Sequence, residues 1–174
     1  MTAPIVTKEE MLSTRVARYK ELKPFPHAFL DTMIPEFERD IMSVIGESVM
    51  EDPDMAPAIS NEHCFSIGLI RLNPGQGAGL HSHSTEEVFI PLNGKFTIIW
   101  GDDGENEVVL EKWDTCSVPT GIMRGFRNDD DHQVVAMAIV GGHDGGRVEW
   151  HEKLTERAKE YGGKLSEAGY IESN

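Results

Sequence analysis

The sequence is poor in cysteine. Its 174 residues include two, Cys64 and Cys116, which are far apart, and no Cys-x-x-Cys pair occurs. A thioredoxin-like motif and a zinc site built from cysteines are therefore excluded. We expect two reduced, partly buried thiols, as is usual in a cytoplasmic protein.

Positive charge is also scarce. Lys and Arg number 16 against 30 Asp and Glu, which gives a formal net charge of −14. Because so acidic a surface repels phosphate backbones and anionic lipid headgroups, we expect neither nucleic acid nor a membrane as a partner. The first ten residues lack an apolar run of signal-peptide length, and no stretch approaches the roughly 18 apolar residues of a spanning helix. These absences predict a cytoplasmic protein.

What is present is the balance of a globular domain, with 39% hydrophobic and 26% charged residues. The central part alternates short apolar runs with Gly, Pro, Asn and Asp, which predicts an all-β barrel or sandwich. Asn93-Gly94 is the dipeptide most typical of a two-residue hairpin. The predicted strands cover residues 39–49, 64–72, 87–92, 96–100, 107–110, 115–118 and 133–140.

Both ends of the chain have a different pattern. Thr7 predicts the N-cap of a helix that runs to about Tyr19, and an extended arm rich in proline follows. Near the C-terminus, apolar residues from Trp150 to Tyr161 follow helical spacing. We expect one domain overall, with an N-terminal arm over 1–60, a barrel core over 61–145, and a C-terminal helix and tail over 146–174.

A cluster with metal-ligand chemistry follows Gly75. His81, His83 and Glu87 are separated by even numbers of residues, so in an extended strand their side chains point to the same face. Two imidazoles and one carboxylate suit iron, manganese, nickel or zinc and leave coordination positions open. We interpret the glycines between Gly75 and His81 as a flexible turn at the mouth of the barrel.

These residues also resemble the first motif of the cupin superfamily. Gly75, His81, His83, Glu87 and Gly94 stand at the spacings of that motif. The resemblance covers roughly residues 63–140 and implies an RmlC-like double-stranded β-helix, or jelly roll. It also implies that the two histidines and the glutamate are metal ligands inside the barrel.

The second cupin motif matches only in part. Pro119, Gly121 and Asn128 fit, but Trp113 stands where the motif has glycine, and Arg124 stands where it has a third histidine ligand. Arginine has no lone pair to offer a metal. The sequence leaves three arrangements open: Arg124 swings away from the metal, binds an anionic group of the substrate, or pairs with Glu87 and replaces the metal.

Other histidines are candidates for a fourth ligand, although none has a spacing that requires this role. We expect each of them to be solvated or structural. They are His27, His63, His132, His143 and His151.

Two classes of function remain open on this sequence. The first is a metal-dependent cupin enzyme of dioxygenase or lyase/isomerase type, in which Arg124 binds a small, anionic organic substrate. The second is a non-catalytic cupin that binds a small molecule without metal and pairs Glu87 with Arg124. In either class the resemblance implies a homodimer.

Overall fold

The computed structural model describes residues 6–47, 49–60, 63–142 and 146–172. In this part of the chain, two helices flank a series of short strands, and three short 3-10 turns lie at Tyr19–Glu21, Leu30–Met33 and Pro35–Phe37. The helices are α1 (Lys8–Thr14) and α2 (Glu152–Glu160). The strands are β1 (Asp40–Ile45), β2 (Phe65–Leu72), β3 (Gly77–Ser82), β4 (Glu87–Pro91), β5 (Phe96–Trp100), β6 (Asn106–Leu110), β7 (Cys116–Val118), β8 (Arg124–Arg127), β9 (Val134–Gly141) and β10 (Glu149–Trp150).

The strands form two five-stranded antiparallel sheets that face each other. The first sheet has the order β1-β2-β9-β4-β7, and the second has the order β10-β3-β8-β5-β6. Strands that are consecutive in sequence repeatedly lie in different sheets, which is the arrangement of a jelly roll. The all-β prediction with a short C-terminal helix is therefore confirmed.

Three phenylalanines hold the sheets together in the middle of the barrel. Phe89 comes from the first sheet, and Phe96 and Phe126 come from the second, with ring centroids 5.0–5.8 Å apart. All three side chains are buried. Aromatic rings contribute large apolar areas and favour such offset and edge contacts, so this cluster is the centre of the main core.

The hairpin predicted at Asn93-Gly94 is wrong. Gly94 does have the expected positive φ of 61°, but the turn carries the chain from β4 in one sheet to β5 in the other. Asn93 accepts a hydrogen bond from the Val135 N–H at 2.8 Å and donates one to the Gln133 carbonyl at 2.9 Å. The dipeptide specifies a chain reversal, whereas the need to place the apolar faces of β4 and β5 across the core decides which strands pair.

The terminal segments also differ from expectation. The Thr7 hydroxyl accepts a hydrogen bond from the Glu10 N–H at 3.1 Å, which confirms the N-cap, but α1 ends at Thr14 rather than near Tyr19. Trp150 belongs to β10, not to the helix, because its backbone pairs with that of His81. Strand β8 was not predicted, since its four residues carry no alternation that is visible in sequence.

Two glycines predicted to form a flexible turn lie inside strand β3. A Cβ atom on Gly77 would overlap the Phe126 carbonyl oxygen, and one on Gly79 would overlap the Leu154 side chain of α2. Only Gly75, with φ +77°, has the turn conformation. The other two glycines therefore allow β8 and α2 to approach the strand that carries His81.

The N-terminal arm and α2 share a second, smaller core beside the barrel. Leu30 and Ile34 from the arm pack with Leu154 and Ala158 from the helix. The amphipathic spacing of the two helical residues explains this contact. Within the described ranges, no helix has the length and apolar character needed to span a membrane.

Trp113 has a left-handed backbone conformation with φ +73°. It stands where the second cupin motif has glycine, so the chain keeps a glycine-type conformation with a large residue in it. The side chain is 65% exposed, and the Trp113 N–H donates to the Pro91 carbonyl at 2.9 Å. The indole itself therefore adds little packing, while the Cβ atom costs about 1–2 kcal/mol in this conformation.

We expect Trp113→Gly to raise the free energy of unfolding by about 0.5–1 kcal/mol, because the relief of Cβ strain exceeds the entropy that glycine adds to the unfolded chain. Urea unfolding measures the change. Trp113→Ala is the matched control, since it removes the indole and keeps the Cβ atom. Equal stability of the glycine and alanine variants would contradict the strain at this position.

Candidate metal site

The register of the second sheet places three site residues side by side. His81 in β3 is the cross-strand partner of Arg124 in β8 and of Trp150 in β10. Directly opposed residues on neighbouring strands project to the same face of a sheet. His81 is therefore flanked by a cation on one side and an indole on the other, with its ring centroid 5.3 Å from that of Trp150.

Glu87 reaches the same place from the other sheet. The chain turns after His83, and Glu87 begins β4 in the first sheet. The expectation that His81, His83 and Glu87 lie along one extended strand is therefore wrong, because residues 84–86 form a turn between two strands. The three residues nevertheless converge, with one ligand atom of each within 4.8 Å of the others.

Arg124 forms a buried ion pair with Glu87. Its Nη2 and Nε donate to the same carboxylate oxygen, Glu87 Oε2, at 2.9 and 3.2 Å. The third nitrogen, Nη1, donates to the Ile122 carbonyl at 3.3 Å. The arginine side chain is 0% exposed and that of the glutamate 8%, so the pair is shielded from solvent and each charge depends on the other.

Of the arrangements left open by the sequence, the guanidinium adopts the pairing with Glu87. Both contacts use Oε2, and therefore the second carboxylate oxygen, Oε1, is not taken by Arg124. His83 Nε2 lies 3.7 Å from Glu87 Oε2. The donors of Arg124 are directed at protein groups, and its assignment to substrate binding stays a prediction.

Both imidazoles are held in the neutral form. Burial, His83 and Arg124 lower the pKa of His81 well below its usual value. Burial and then Arg124 lower the pKa of His83 to about 3. His81 Nδ1 donates to the Gly79 carbonyl at 2.8 Å, which leaves the lone pair on Nε2. Neutral imidazole is the form that binds metals, so neither ring has to lose a proton first.

The pKa of Glu87 is raised because its carboxyl group is buried, and Arg124 opposes this shift. The carboxylate thus depends on its partner to keep its charge inside the barrel. This is the usual situation for a buried acid with one counter-ion.

A small cavity of about 40 Å³ lies beside these side chains. Pockets that enclose whole organic ligands usually measure about 300–1,000 Å³, so this one has room for an ion and a few atoms. The positively charged residue on its wall is Arg39. The cavity is lined by Phe29, Arg39, Ile41, Ile70, His81, His83, Glu87, Phe126, Val148 and Trp150.

The N-terminal arm supports the site through Asp31. Its Oδ2 accepts from Arg39 Nη1 at 2.9 Å and from the Gly79 N–H at 3.0 Å, and both side chains are buried. Because the Gly79 carbonyl accepts the bond from His81, Asp31 helps to fix the residue whose backbone orients this imidazole. Sequence reasoning missed Asp31 and Arg39, which no motif marks.

Glu51 fixes Trp150, the indole that packs on His81. Its Oε1 accepts from Trp150 Nε1 at 2.8 Å, and its Oε2 accepts from the Leu30 N–H at 2.6 Å. Burial raises the pKa of Glu51 to about 7, although both hydrogen bonds act in the opposite direction. This residue therefore titrates near neutral pH in the folded protein.

Within the described residues, no further histidine joins the cluster around His81. His132 forms a second possible group with Asp130 and Asp131, which is largely exposed. His151 caps α2, where its Nδ1 accepts from the Lys153 N–H at 3.2 Å. His63 packs its ring on Phe65, and His27 is exposed; His143 lies outside the described residues.

Arg124→Met should lower the free energy of unfolding by about 3 kcal/mol, because it leaves the Glu87 charge buried without a partner. Glu87→Gln in the same chain should recover most of this loss. Chemical denaturation of the two single variants and the double variant measures the coupling. Additive losses would show that the ion pair does not act as a unit.

The raised pKa of Glu51 predicts a pH-dependent stability. Because the folded protein holds this proton more tightly than the unfolded chain does, the contribution of Glu51 is full below about pH 4.5 and declines as the pH rises to about 7. The decline amounts to about 3 kcal/mol. Urea unfolding of the wild type and Glu51→Gln at a series of pH values isolates this contribution. A stability difference between the two proteins that stays constant with pH would refute it.

Comparison with known families agrees with this architecture. Residues 68–140 match the family model described as the cupin domain (Cupin_2). The matched region contains the two histidines, Glu87 and Arg124, whereas Asp31, Arg39 and Trp150 lie outside it.

Similar proteins share the fold over a larger part of the chain. A curated relative, auxin-binding protein 4 of Zea mays, is 30% identical over 80 residues, which cover 42% of this chain and 39% of that protein. The match therefore spans about two-fifths of the relative's length. A solved cupin-2 domain of Rhodospirillum rubrum has a TM-score of 0.59 and 12% identity over 83% of this chain and 84% of its own. A sugar phosphate isomerase of the cupin superfamily from Silicibacter pomeroyi has a TM-score of 0.51 and 17% identity over 71% and 73%. The first motif, the jelly-roll sheets and the match over residues 68–140 together identify a cupin domain in this part of the chain.

Proposed function

We propose that this cupin binds one divalent transition metal ion through His81, His83 and Glu87 and acts as a metal-dependent enzyme on a small organic molecule. The observation that carries the proposal is the convergence of two buried, neutral imidazoles and a carboxylate on one cavity wall. A homodimer and a location in the cytoplasm also belong to the proposal, on the resemblance and on the composition respectively.

The donor set fits such an ion in kind and comes close to it in spacing. Ligand atoms about 2.1 Å from a metal lie roughly 3.0–3.5 Å apart in tetrahedral or octahedral sites. His83 Nε2 and Glu87 Oε2 are 3.7 Å apart, and the whole set lies within 4.8 Å. Small side-chain rotations therefore suffice. Nitrogen and oxygen donors of this type suit iron, manganese, nickel or zinc.

Arg124 makes the site unusual in its charge. With Glu87 it forms a neutral pair, so a bound dication adds two uncompensated positive charges to a buried region. This opposes metal binding but favours an anionic ligand beside the metal. We therefore expect weaker metal binding than a site with a neutral residue at position 124 would have, and a preference for anionic small molecules.

The chain's own residues would prepare the cavity for chemistry. A bound metal supplies a Lewis acid that polarises an oxygen of the substrate. The Gly79 carbonyl orients His81 through Nδ1, and Arg124 favours the charged form of Glu87 against the effect of burial. Apolar side chains such as Ile70 and Phe126 line the remaining wall, and an apolar surrounding strengthens electrostatic interactions. In this proposal the reaction is of the dioxygenase or lyase/isomerase type.

A second candidate function is a binding cupin without metal or turnover. The observation that favours it is the formed ion pair between Arg124 and Glu87, which satisfies the carboxylate charge from within the protein. In that case a small molecule would occupy the cavity through the neutral imidazoles and the aromatic wall.

Metal content separates the two candidates. We expect protein purified without a histidine tag to hold about one equivalent of iron, manganese, nickel or zinc after reconstitution, as measured by elemental analysis. His81→Ala should lose most of it, because it removes one of three ligands. Arg124→His should bind the metal more tightly, because it removes a positive charge and adds a donor.

His132→Ala is the control, since His132 belongs to the exposed group and should leave the metal content unchanged. Less than about a tenth of an equivalent in the wild type would favour the metal-free candidate. Unchanged content in His81→Ala would refute the ligand assignment.

A further inference from the structure

We propose that Arg39, a residue of the N-terminal segment, recognises the ligand by binding the carboxylate of a small organic acid beside His81, His83 and Glu87. The inference rests on the proposed function, because that function supplies the metal ion beside which the acid would bind. It adds to that function the chemical class of the ligand and a specificity residue outside the cupin-domain match.

Arg39 uses only part of its hydrogen-bonding capacity within the described residues. Nη1 makes three contacts, to Asp31 Oδ2 at 2.9 Å, to the Phe37 carbonyl at 2.9 Å and to the Gly77 carbonyl at 3.3 Å. Nε is buried and has no hydrogen-bond partner in the described part of the chain. Such orphan donors are rare in buried arginines, which suggests that another group completes the set.

The position of Arg39 is suited to a ligand of the metal site. Its side chain is 3% exposed and lines the same cavity as His81, His83 and Glu87. The guanidinium lies 5.5 Å from the ring centroids of Phe29 and Phe126. Together with Asp31, these rings hold the planar group in place before any ligand arrives.

With a metal ion bound, the site would carry an excess positive charge that an anionic ligand can balance. The side chains form two neutral pairs, Arg39 with Asp31 and Arg124 with Glu87, and the imidazoles are neutral. A dication then leaves two positive charges among buried side chains. An anionic ligand removes part of this excess, and a guanidinium beside it provides directed donors.

The size of the cavity restricts the anion. About 40 Å³ accommodates only a few non-hydrogen atoms, and a carboxylate is a small anion whose two oxygens match the donor fork of a guanidinium. Arg124 is less suited to this role, because all three of its nitrogens already donate to Glu87 and the Ile122 carbonyl. Recognition of the ligand's charge therefore falls to Arg39.

Formate, the smallest carboxylate, is the probe for this site. Titration of ¹⁵N-labelled full-length protein with formate at constant ionic strength, both metal-free and zinc-loaded, should shift the Nε–Hε resonance of Arg39. Through-bond assignment identifies that resonance in the wild type. Arg39→Lys keeps the positive charge near Asp31 but lacks Nε, and it should weaken formate binding at least about tenfold in calorimetry.

Arg71→Lys is the matched control. The Nε and Nη2 of Arg71 both donate to Asp40 on a partly exposed pair, at 2.9 and 2.6 Å, so this side chain has no unused Nε. We expect its formate affinity to stay within about twofold of wild type. Equal weakening in the two lysine variants would overturn the proposal, as would an Arg39 resonance that does not move in either metal state. If Arg39→Lys does not fold, the wild-type resonance alone decides.

Zinc content measured on the same samples tests the metal site separately from the role of Arg39. One equivalent of zinc with formate affinity unaffected by Arg39→Lys would refute the role of Arg39 and leave the metal site standing. Absence of zinc binding would refute the metal site, and the titration of the metal-free protein would still decide whether Arg39 binds a carboxylate.

Discussion

The ion pair between Arg124 and Glu87 is the interaction on which the site depends. It joins the two sheets, because Arg124 belongs to β8 and Glu87 to β4. A charge buried on either side alone would destabilise the barrel, so neither residue can be exchanged without regard to the other. The pair also keeps the carboxylate beside the imidazole of His83. Arg124, the residue that departs from the second cupin motif, therefore stabilises Glu87, which belongs to the first motif.

The site is larger than the family motif. Residues outside the matched region fix the groups inside it: Asp31 holds the Gly79 peptide, and Glu51 holds the Trp150 indole against His81. Each of these contacts joins segments that are distant in sequence. The barrel carries the candidate ligands, whereas the arm and the segment before α2 hold them in their orientation. The N-terminal segment thus takes part in the chemistry that the geometry supports.

Much of this architecture was predictable from sequence, for identifiable reasons. The spacing of His81, His83 and Glu87 with two glycines was specific enough to indicate a jelly roll and a cluster, although the residues are on two sheets rather than one strand. The Asn93-Gly94 turn was recognised, but its strand partners were not, because pairing is decided by packing across the core. Arg39 could not be found, since a buried arginine is marked only by the cavity and the carboxylate that surround it.

Gly79 shows how closely the parts of this protein are joined. Its N–H binds the arm, its carbonyl orients His81, and its missing side chain makes room for Leu154 of α2. A substitution there would disturb the packing of both chain ends and the imidazole in a single step. Residue 79 therefore couples the packing of the scaffold to the orientation of the imidazole, so that a change in one is a change in the other.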